Sequence, residues 1–120
     1  MNREIEFRVW DIKSKEYIKS KANYLIDGNG VLYFAFGYCE LEILSREDYI
    51  VEFYTGRKDK NGVKLFEGDL CQDSYDEKYG GRIIFEDGAF LFVWENIVEQ
   101  LSDVHESLEV IGNIWEESSK

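Results

Sequence analysis

Short alternating runs separated by glycine turns are the feature that most constrains the fold of this chain. Residues 5–10 read IEFRVW, in which Ile5, Phe7 and Val9 alternate with charged side chains. A period of two is typical of a strand with one buried face. Comparable apolar or alternating runs recur along the chain, at ANYLI, VLYFAF, CELEIL, YIVEFY, RIIFE and AFLFVW. The pattern predicts a mainly β protein.

Turn signals between these runs predict how the strands connect. DGNG at 27–30 and DG at 87–88 each separate two apolar runs, and Asp-Gly favours a type I′ hairpin turn. TGRKDKNG at 55–62 is predicted to be a loop, and DEKYGG at 76–81 a connection. Short strands with glycine turns favour a small antiparallel barrel or sandwich over a parallel α/β sheet. The run 66–94 has the pattern of an SH3-like barrel.

One segment has a helical period. Apolar residues recur at steps of three and four from Trp94 to Leu108, and Asn96 with Glu99 resembles a capping box. We therefore expect one short helix near 96–106. The chain is then predicted to return to a strand at LEVIGNIW.

The length and the hydropathy predict one soluble domain over residues 1–120. N-terminal strands over 1–54 are expected to pack with a barrel-like portion over 55–116, since 120 residues suit a single core. No apolar run approaches the ~20 residues of a membrane helix, and the charged N-terminus differs from a signal peptide. We expect a cytoplasmic protein.

The charge balance disfavours nucleic acid as a partner. The chain has 14 Lys and Arg against 25 Asp and Glu, a net charge of −11, which repels phosphate backbones and raises solubility. The exception is the loop with Arg57, Lys58 and Lys60. These cations are candidate contacts to an anion, although turn chemistry explains the Asp and Asn-Gly of the same loop.

Residues suited to catalysis or metal binding are sparse. Asp69, in EGD at 67–69, either accepts hydrogen bonds from nearby backbone amides or acts as a catalytic carboxylate with the acids that follow it, Asp73, Asp76 and Glu77. His105 is the only histidine, and the two cysteines, Cys39 and Cys71, are too few and too far apart for a zinc site. They form a disulfide only if the fold brings them together. We predict no catalytic residue, no metal site and no cofactor.

Four segments in a fixed order resemble the YopX family of phage and prophage proteins: IEFRVWD at 5–11, YTGRKDKNGVKLFEGDL at 54–70, GRIIFEDGAF at 81–90 and LEVIGNIWE at 108–116. The resemblance implies a mainly β domain that is encoded by mobile genetic elements and acts inside a bacterial host. It implies no reaction and no catalytic residues.

Three functions follow from these observations. The first is a non-enzymatic accessory or regulatory protein that binds a host or phage protein through an acidic surface and exposed aromatic side chains. The alternatives are a nucleic-acid-associated module that uses the loop at 57–60, and a carboxylate-dependent enzyme around Asp69. Apolar residues on both faces of LYFAF at 32–36 also suggest a homo-oligomer, because burial of both faces is expected of such a strand.

Overall fold

The computed structural model describes residues 5–20, 22–37, 40–73 and 76–118, without the side chains of 76–79 and 117–118. Antiparallel strands dominate, which confirms the mainly β prediction. The elements in chain order are β1 Phe7–Asp11, β2 Glu16–Tyr17, β3 Tyr24–Ile26, β4 Leu32–Phe36, β5 Glu40–Leu44, β6 Tyr49–Lys58, β7 Lys64–Phe66, β8 Asp69–Asp73, β9 Asp76–Glu86, β10 Ala89–Trp94, β11 Ile97–Gln100, α1 Leu101–Val104, a 3₁₀ turn His105–Ser107, β12 Leu108–Asn113 and α2 Ile114–Ser118.

The chain divides into two compact units. The small unit is Phe7–Glu52, and the large unit combines Met1–Glu6 with Phe53–Lys120. The division falls within β6, close to the predicted boundary between residues 54 and 55. The packing of the two portions into one domain stays a prediction, as does the SH3-like character of the second.

The small unit contains a buried ionic cluster. Glu52 is 3% exposed. Its Oε1 accepts hydrogen bonds from Arg8 Nε at 2.9 Å and from the Tyr17 hydroxyl at 2.8 Å. The Arg8 guanidinium also lies 4.3 Å from the centre of the Tyr17 ring. A buried carboxylate is tolerated when it is paired in this way, so this cluster helps to hold the two-residue strand β2 against β1.

The small unit also confirms the hairpin predicted at DGNG. β3 pairs with β4, with Ile26 opposite Leu32. Asp27 Oδ1 accepts hydrogen bonds from the backbone N–H groups of Asn29 at 2.9 Å and Val31 at 3.0 Å. The hydrogen bond from Val31 makes the largest contribution to lowering the pKa of Asp27 below its ordinary value, because it favours the charged carboxylate.

The large unit is built on a five-stranded sheet in the order β11-β10-β9-β8-β12. Its core is apolar and consists of Leu65, Cys71, Ile83, Phe92, Leu101 and Leu108. The hairpin predicted at DG is confirmed, since β9 and β10 meet with Glu86 opposite Ala89. Asp87 and Gly88 both have positive φ, 51° and 79°, as the type I′ turn requires.

The connection predicted at 76–81 is wrong, because these residues begin β9, which extends from Asp76 to Glu86. Gly80 and Gly81 pair with Gln72 and Cys71 of β8. Glycine at a strand interior often marks a close approach of another backbone, and this is the case at Gly81, where an added Cβ would lie 2.5 Å from the carbonyl oxygen of Val93.

The predicted short helix is present, but its extent differs. α1 spans Leu101–Val104 and continues as a 3₁₀ turn. Residues 97–100 instead form β11, which pairs with β10 through Ile97 opposite Trp94. The Asn96 signal belongs to the turn between these strands, where Glu95 has a φ of 51°. Pairing with β10 therefore overrides the local helical period.

The strand predicted at LEVIGNIW ends two residues early. β12 stops at Asn113, whose Oδ1 accepts hydrogen bonds from the backbone N–H groups of Trp115 and Glu116, both at 2.9 Å. An Asn in this position caps the start of a helix, here α2. None of the described helices is long and apolar enough to span a membrane.

Candidate functional site

A β-bulge interrupts β6 in the large unit. Tyr54 is opposite Phe66 and Lys58 is opposite Lys64, so three residues of β6 face one residue of β7. Gly56, within the bulge, has a φ of 86°, which glycine adopts without strain. The loop predicted from residue 55 therefore starts after residue 58, since residues 55–58 still belong to β6.

The Thr55 side chain holds this bulge. Its hydroxyl donates to the carbonyl oxygen of Leu65 at 2.8 Å, and its oxygen accepts from the backbone N–H of Arg57 at 3.1 Å. These bonds compensate for the ladder hydrogen bonds that a bulge interrupts. Bulges often lie beside functional sites, where they redirect a side chain.

A pocket of about 630 Å³ opens beside the bulge, and all of its lining residues belong to the large unit. We call this cavity the aromatic pocket. Its lining includes the apolar and aromatic residues Ile5, Phe53, Tyr54, Phe85 and Phe90. Phe85 and Phe90 are cross-strand partners whose ring centres are 4.9 Å apart. Ile5 is 71% exposed and Phe85 is 54% exposed, so the rim of the aromatic pocket includes exposed apolar surface.

Two carboxylates at the aromatic pocket are engaged in holding the fold. Glu6 Oε2 lies 2.9 Å from Lys64 Nζ. Glu67 Oε1 accepts a hydrogen bond from the backbone N–H of Phe53 at 2.9 Å. Both carboxylates therefore have structural partners, and the pocket offers mainly apolar surface.

A second, smaller concavity of about 180 Å³ is lined by Thr55, Arg57, Phe90, Gln100, Leu101 and Ser102. It shares Thr55 and Phe90 with the aromatic pocket, so the two are neighbours around the bulge. Arg57 is the one predicted binding residue that lines either cavity. No motif in the sequence marked Gln100 and Ser102 as site residues, because only the tertiary fold brings them to the same cavity as Thr55 and Arg57.

The other predicted cations have different surroundings. Lys60 Nζ lies 3.6 Å from Glu109 Oε2. Lys58 is exposed, and its carbonyl oxygen accepts a hydrogen bond from His105 Nδ1 at 2.7 Å. The three cations therefore do not converge on one anion.

Asp69, the first residue of β8, is buried in the fold. It is 2% exposed, and its Oδ2 accepts a hydrogen bond from the backbone N–H of Phe66 at 2.8 Å. The intervening Gly68 has a φ of 88°, which closes the turn between β7 and β8. This geometry agrees with the first of the two roles considered for Asp69, acceptance from nearby backbone amides.

The other residues of the carboxylate hypothesis do not form a described site. Asp73 ends β8, and the side chains of Asp76 and Glu77 lie outside the described residues. Within the part of the chain that the structure describes, no three His, Cys, Asp or Glu side chains are grouped as metal ligands. Cys71 is a buried cysteine, and Cys39 lies outside the described residues.

Asp69→Ala is expected to reduce the free energy of unfolding by about 2 kcal/mol, because it leaves the N–H of Phe66 without its acceptor. Urea unfolding of the full chain measures the change. Asp103→Ala is the control, since Asp103 is exposed on α1 and its loss should cost less than about 0.5 kcal/mol. Equal stability of the two variants would contradict the structural role of Asp69.

The small unit has an apolar sheet face. Leu25, Tyr33 and Ile43 are cross-strand partners, and Ala35 is opposite Leu41 in the next row. Side chains in such positions point to the same side of a sheet. Leu25, Leu41 and Ile43 are 48%, 57% and 68% exposed. We call this set the sheet face.

The sheet face bears on the oligomer hypothesis. Within one chain LYFAF forms β4, and only its Leu32 is buried. Three strands present an area on the order of 200 Å², whereas a stable dimer buries about 800 Å² on each partner. The sheet face alone is too small to hold a stable dimer, and self-association stays a prediction.

The comparisons with known proteins identify the family. The model of the family described as YopX protein matches residues 6–120. The chain belongs to the YopX family. The resemblance seen in the sequence is thereby confirmed, and the bulge and the turns at Asp59 and Asp69 of this YopX chain lie in one of the four segments that carry it, residues 54–70.

A solved structure has a similar fold. The crystal structure of protein EF1440 from Enterococcus faecalis superimposes with a TM-score of 0.66 and 28% sequence identity, covering 98% of the YopX chain and 97% of the other. The comparison with curated proteins finds no match. The similarity therefore extends over nearly the full length of both chains.

Proposed function

We propose that this YopX-family chain is a non-enzymatic accessory or regulatory protein, encoded by a phage or prophage, that acts in the bacterial cytoplasm by binding a host or phage protein. The observation that carries the proposal is the aromatic pocket with its exposed apolar rim. A cavity of this size lies within the ~300–1,000 Å³ range of ligand pockets.

The rim favours a protein as the ligand. Ile5 and Phe85 extend apolar surface outside the cavity, and a protein segment covers such surface while it inserts one large side chain. Buried apolar anchors of this kind supply most of the binding energy in protein interfaces. The carboxylates at the pocket, Glu6 and Glu67, have structural partners, which is consistent with a binding role.

Nucleic acid ranks second. Stacking platforms for bases usually lie in a positively charged groove. Lys60 is paired with Glu109, and of the three loop cations only Arg57 lines the aromatic pocket or its neighbouring concavity. The net charge of −11 opposes binding to a phosphate backbone.

The test is capture of partners by the tagged 120-residue chain from bacterial lysate, with and without nuclease treatment. We expect one protein whose recovery falls about tenfold or more when Ile5→Ala and Phe85→Ala are combined, because pocket anchors typically contribute a kcal/mol or more. The control combines Val98→Ala and Ile111→Ala, which are 58% and 56% exposed but do not line the pocket.

The candidate is then purified, and its affinity for the same variants is measured by calorimetry. A partner that binds the wild type and the control variant but loses affinity for the pocket variant supports the proposal. Equal affinity for all three proteins would contradict a role for the aromatic pocket. Material that is lost on nuclease treatment would favour the nucleic-acid alternative.

A further inference from the structure

The concavity beside the aromatic pocket contains unused hydrogen-bond donors. Within the described residues, the Arg57 side chain forms no ion pair, although the chain has 25 Asp and Glu. The side chains of Gln100 and Ser102 also make no hydrogen bond there. An arginine guanidinium presents up to five N–H donors in a planar fork that matches an anionic oxygen pair. Three residues whose side chains carry donors thus line one concavity of about 180 Å³.

The backbone at Arg57 is held in place by the bulge. Gly56 takes the left-handed conformation, and the Thr55 hydroxyl accepts the N–H of Arg57 at 3.1 Å. Redirection of a side chain is a usual consequence of a bulge. Lys58, one residue further, does not line the concavity, so the geometry distinguishes two neighbouring cations.

We infer that this concavity is an anion subsite of the aromatic pocket, and that the partner segment places a carboxylate or phosphate on Arg57 next to the apolar side chain that enters the pocket. The inference rests on the proposed function, because it names the chemistry of the segment that the pocket binds. The inference is supported by the position of the concavity next to the aromatic pocket, since Thr55 and Phe90 line both cavities. A peptide with an apolar residue beside an acidic group fits this arrangement.

The net charge of the chain does not exclude this subsite. Charges beyond about 8 Å are largely screened at physiological ionic strength, so the nearest groups decide the local field. Charge-assisted hydrogen bonds from arginine to a carboxylate are about twice as strong as neutral ones. We therefore expect the subsite to discriminate between an acid and its neutral amide.

The experiment is an NMR titration of the full ¹⁵N-labelled chain with three probes: N-acetyl-phenylalanine, its neutral amide N-acetyl-phenylalaninamide, and phenyl phosphate. We expect both amino-acid probes to shift pocket amides, with the acid binding about tenfold more tightly. The amides of Arg57, Gln100 and Ser102, which line the concavity but not the aromatic pocket, should shift with the acid alone. Comparison of the acid with phenyl phosphate shows which anionic group is preferred.

Two variants separate the subsite from general charge. Arg57→Gln should remove the preference for the acid and leave the binding of the amide unchanged. Lys58→Gln, which removes the same charge one residue away, should retain the preference. An equal loss in both variants would attribute the preference to net charge and contradict the inference.

The remaining outcomes distinguish the inference from the proposed function. If the acid and the amide bind the pocket equally, the anion subsite is wrong while the pocket remains a binding site. If neither probe shifts a pocket residue, the pocket and the inference both fail. Tighter binding of uridine monophosphate than of all three probes would replace the peptide with a nucleotide as the ligand.

Discussion

Gly81→Ala is expected to lower the free energy of unfolding by about 3 kcal/mol, the upper end of the usual cost of overpacking a core. A Cβ at this position would lie 2.5 Å from the carbonyl oxygen of Val93 and 2.7 Å from the ring of Phe92. Phe92 is 1% exposed, so its ring has little room to move, and the Val93 oxygen belongs to the backbone of β10. Urea or thermal unfolding of the full chain measures the change.

Gly80→Ala is the matched control for this prediction. The neighbouring glycine is in the same strand, but an added Cβ would meet its nearest atom, the carbonyl oxygen of Cys71, at 3.6 Å, an ordinary contact. We expect this variant to keep or slightly raise the stability, because alanine restricts the unfolded chain more than glycine does. Equal stability of the two variants would contradict the close approach of β10 to Gly81.

Asp59→Ala is expected to lower the free energy of unfolding by about 3 kcal/mol, because three backbone N–H groups lose a charged acceptor. Asp59 is 6% exposed. Its Oδ1 accepts from Asn61 at 2.8 Å and from Val63 at 2.9 Å, and its Oδ2 accepts from Val110 at 3.2 Å. The last bond joins the turn after β6 to β12, so the substitution affects tertiary as well as local structure.

Asp27→Ala is the control, because Asp27 stands in the same local sequence. Both turns read D-x-N-G-V, and in both the carboxylate accepts the N–H groups two and four residues later. Asp27 is more exposed than Asp59, and the hydrogen-bond partners of its carboxylate, Asn29, Val31 and Tyr33, all lie within six residues. We expect a smaller loss from Asp27→Ala in the same unfolding measurement. An equal or greater loss would show that the bond from Asp59 to β12 contributes little.

The D-x-N-G-V turn is a part of the fold that depends only on residues close together in the sequence. Asp accepts from N–H groups a few residues away, and Gly30 and Gly62 both have a φ of 80°, which other residues rarely adopt. The sequence predicted a turn at both places for this reason. The Asp-Gly hairpin at 87–88 was predicted on the same grounds, because it needs two adjacent residues with positive φ.

The errors in the prediction have the opposite cause. Residues 97–100 have helical spacing but form β11, since the edge of β10 offers a full set of backbone hydrogen bonds. Gly80 and Gly81 resemble a loop but lie in the interior of β9, between β8 and β10. In each case pairing with a neighbouring strand decides the conformation, and the propensity of the segment taken alone does not include that pairing.

The candidate site shows the same division, between features set by the local sequence and features set by the tertiary structure. The sequence by itself determined the mainly β character, the turns at 27–30 and 87–88, a loop that includes residues 59–62 and the resemblance to the YopX family. It also singled out Arg57, Lys58 and Lys60 as candidate anion contacts. These features depend on residues close together in the chain. Only the tertiary structure decided that Arg57 lies with Gln100 and Ser102, that Asp69 is buried, and that Ile5, Phe85 and Phe90 form one pocket. Such convergence depends on strand pairing and register over long separations, which composition and spacing do not encode.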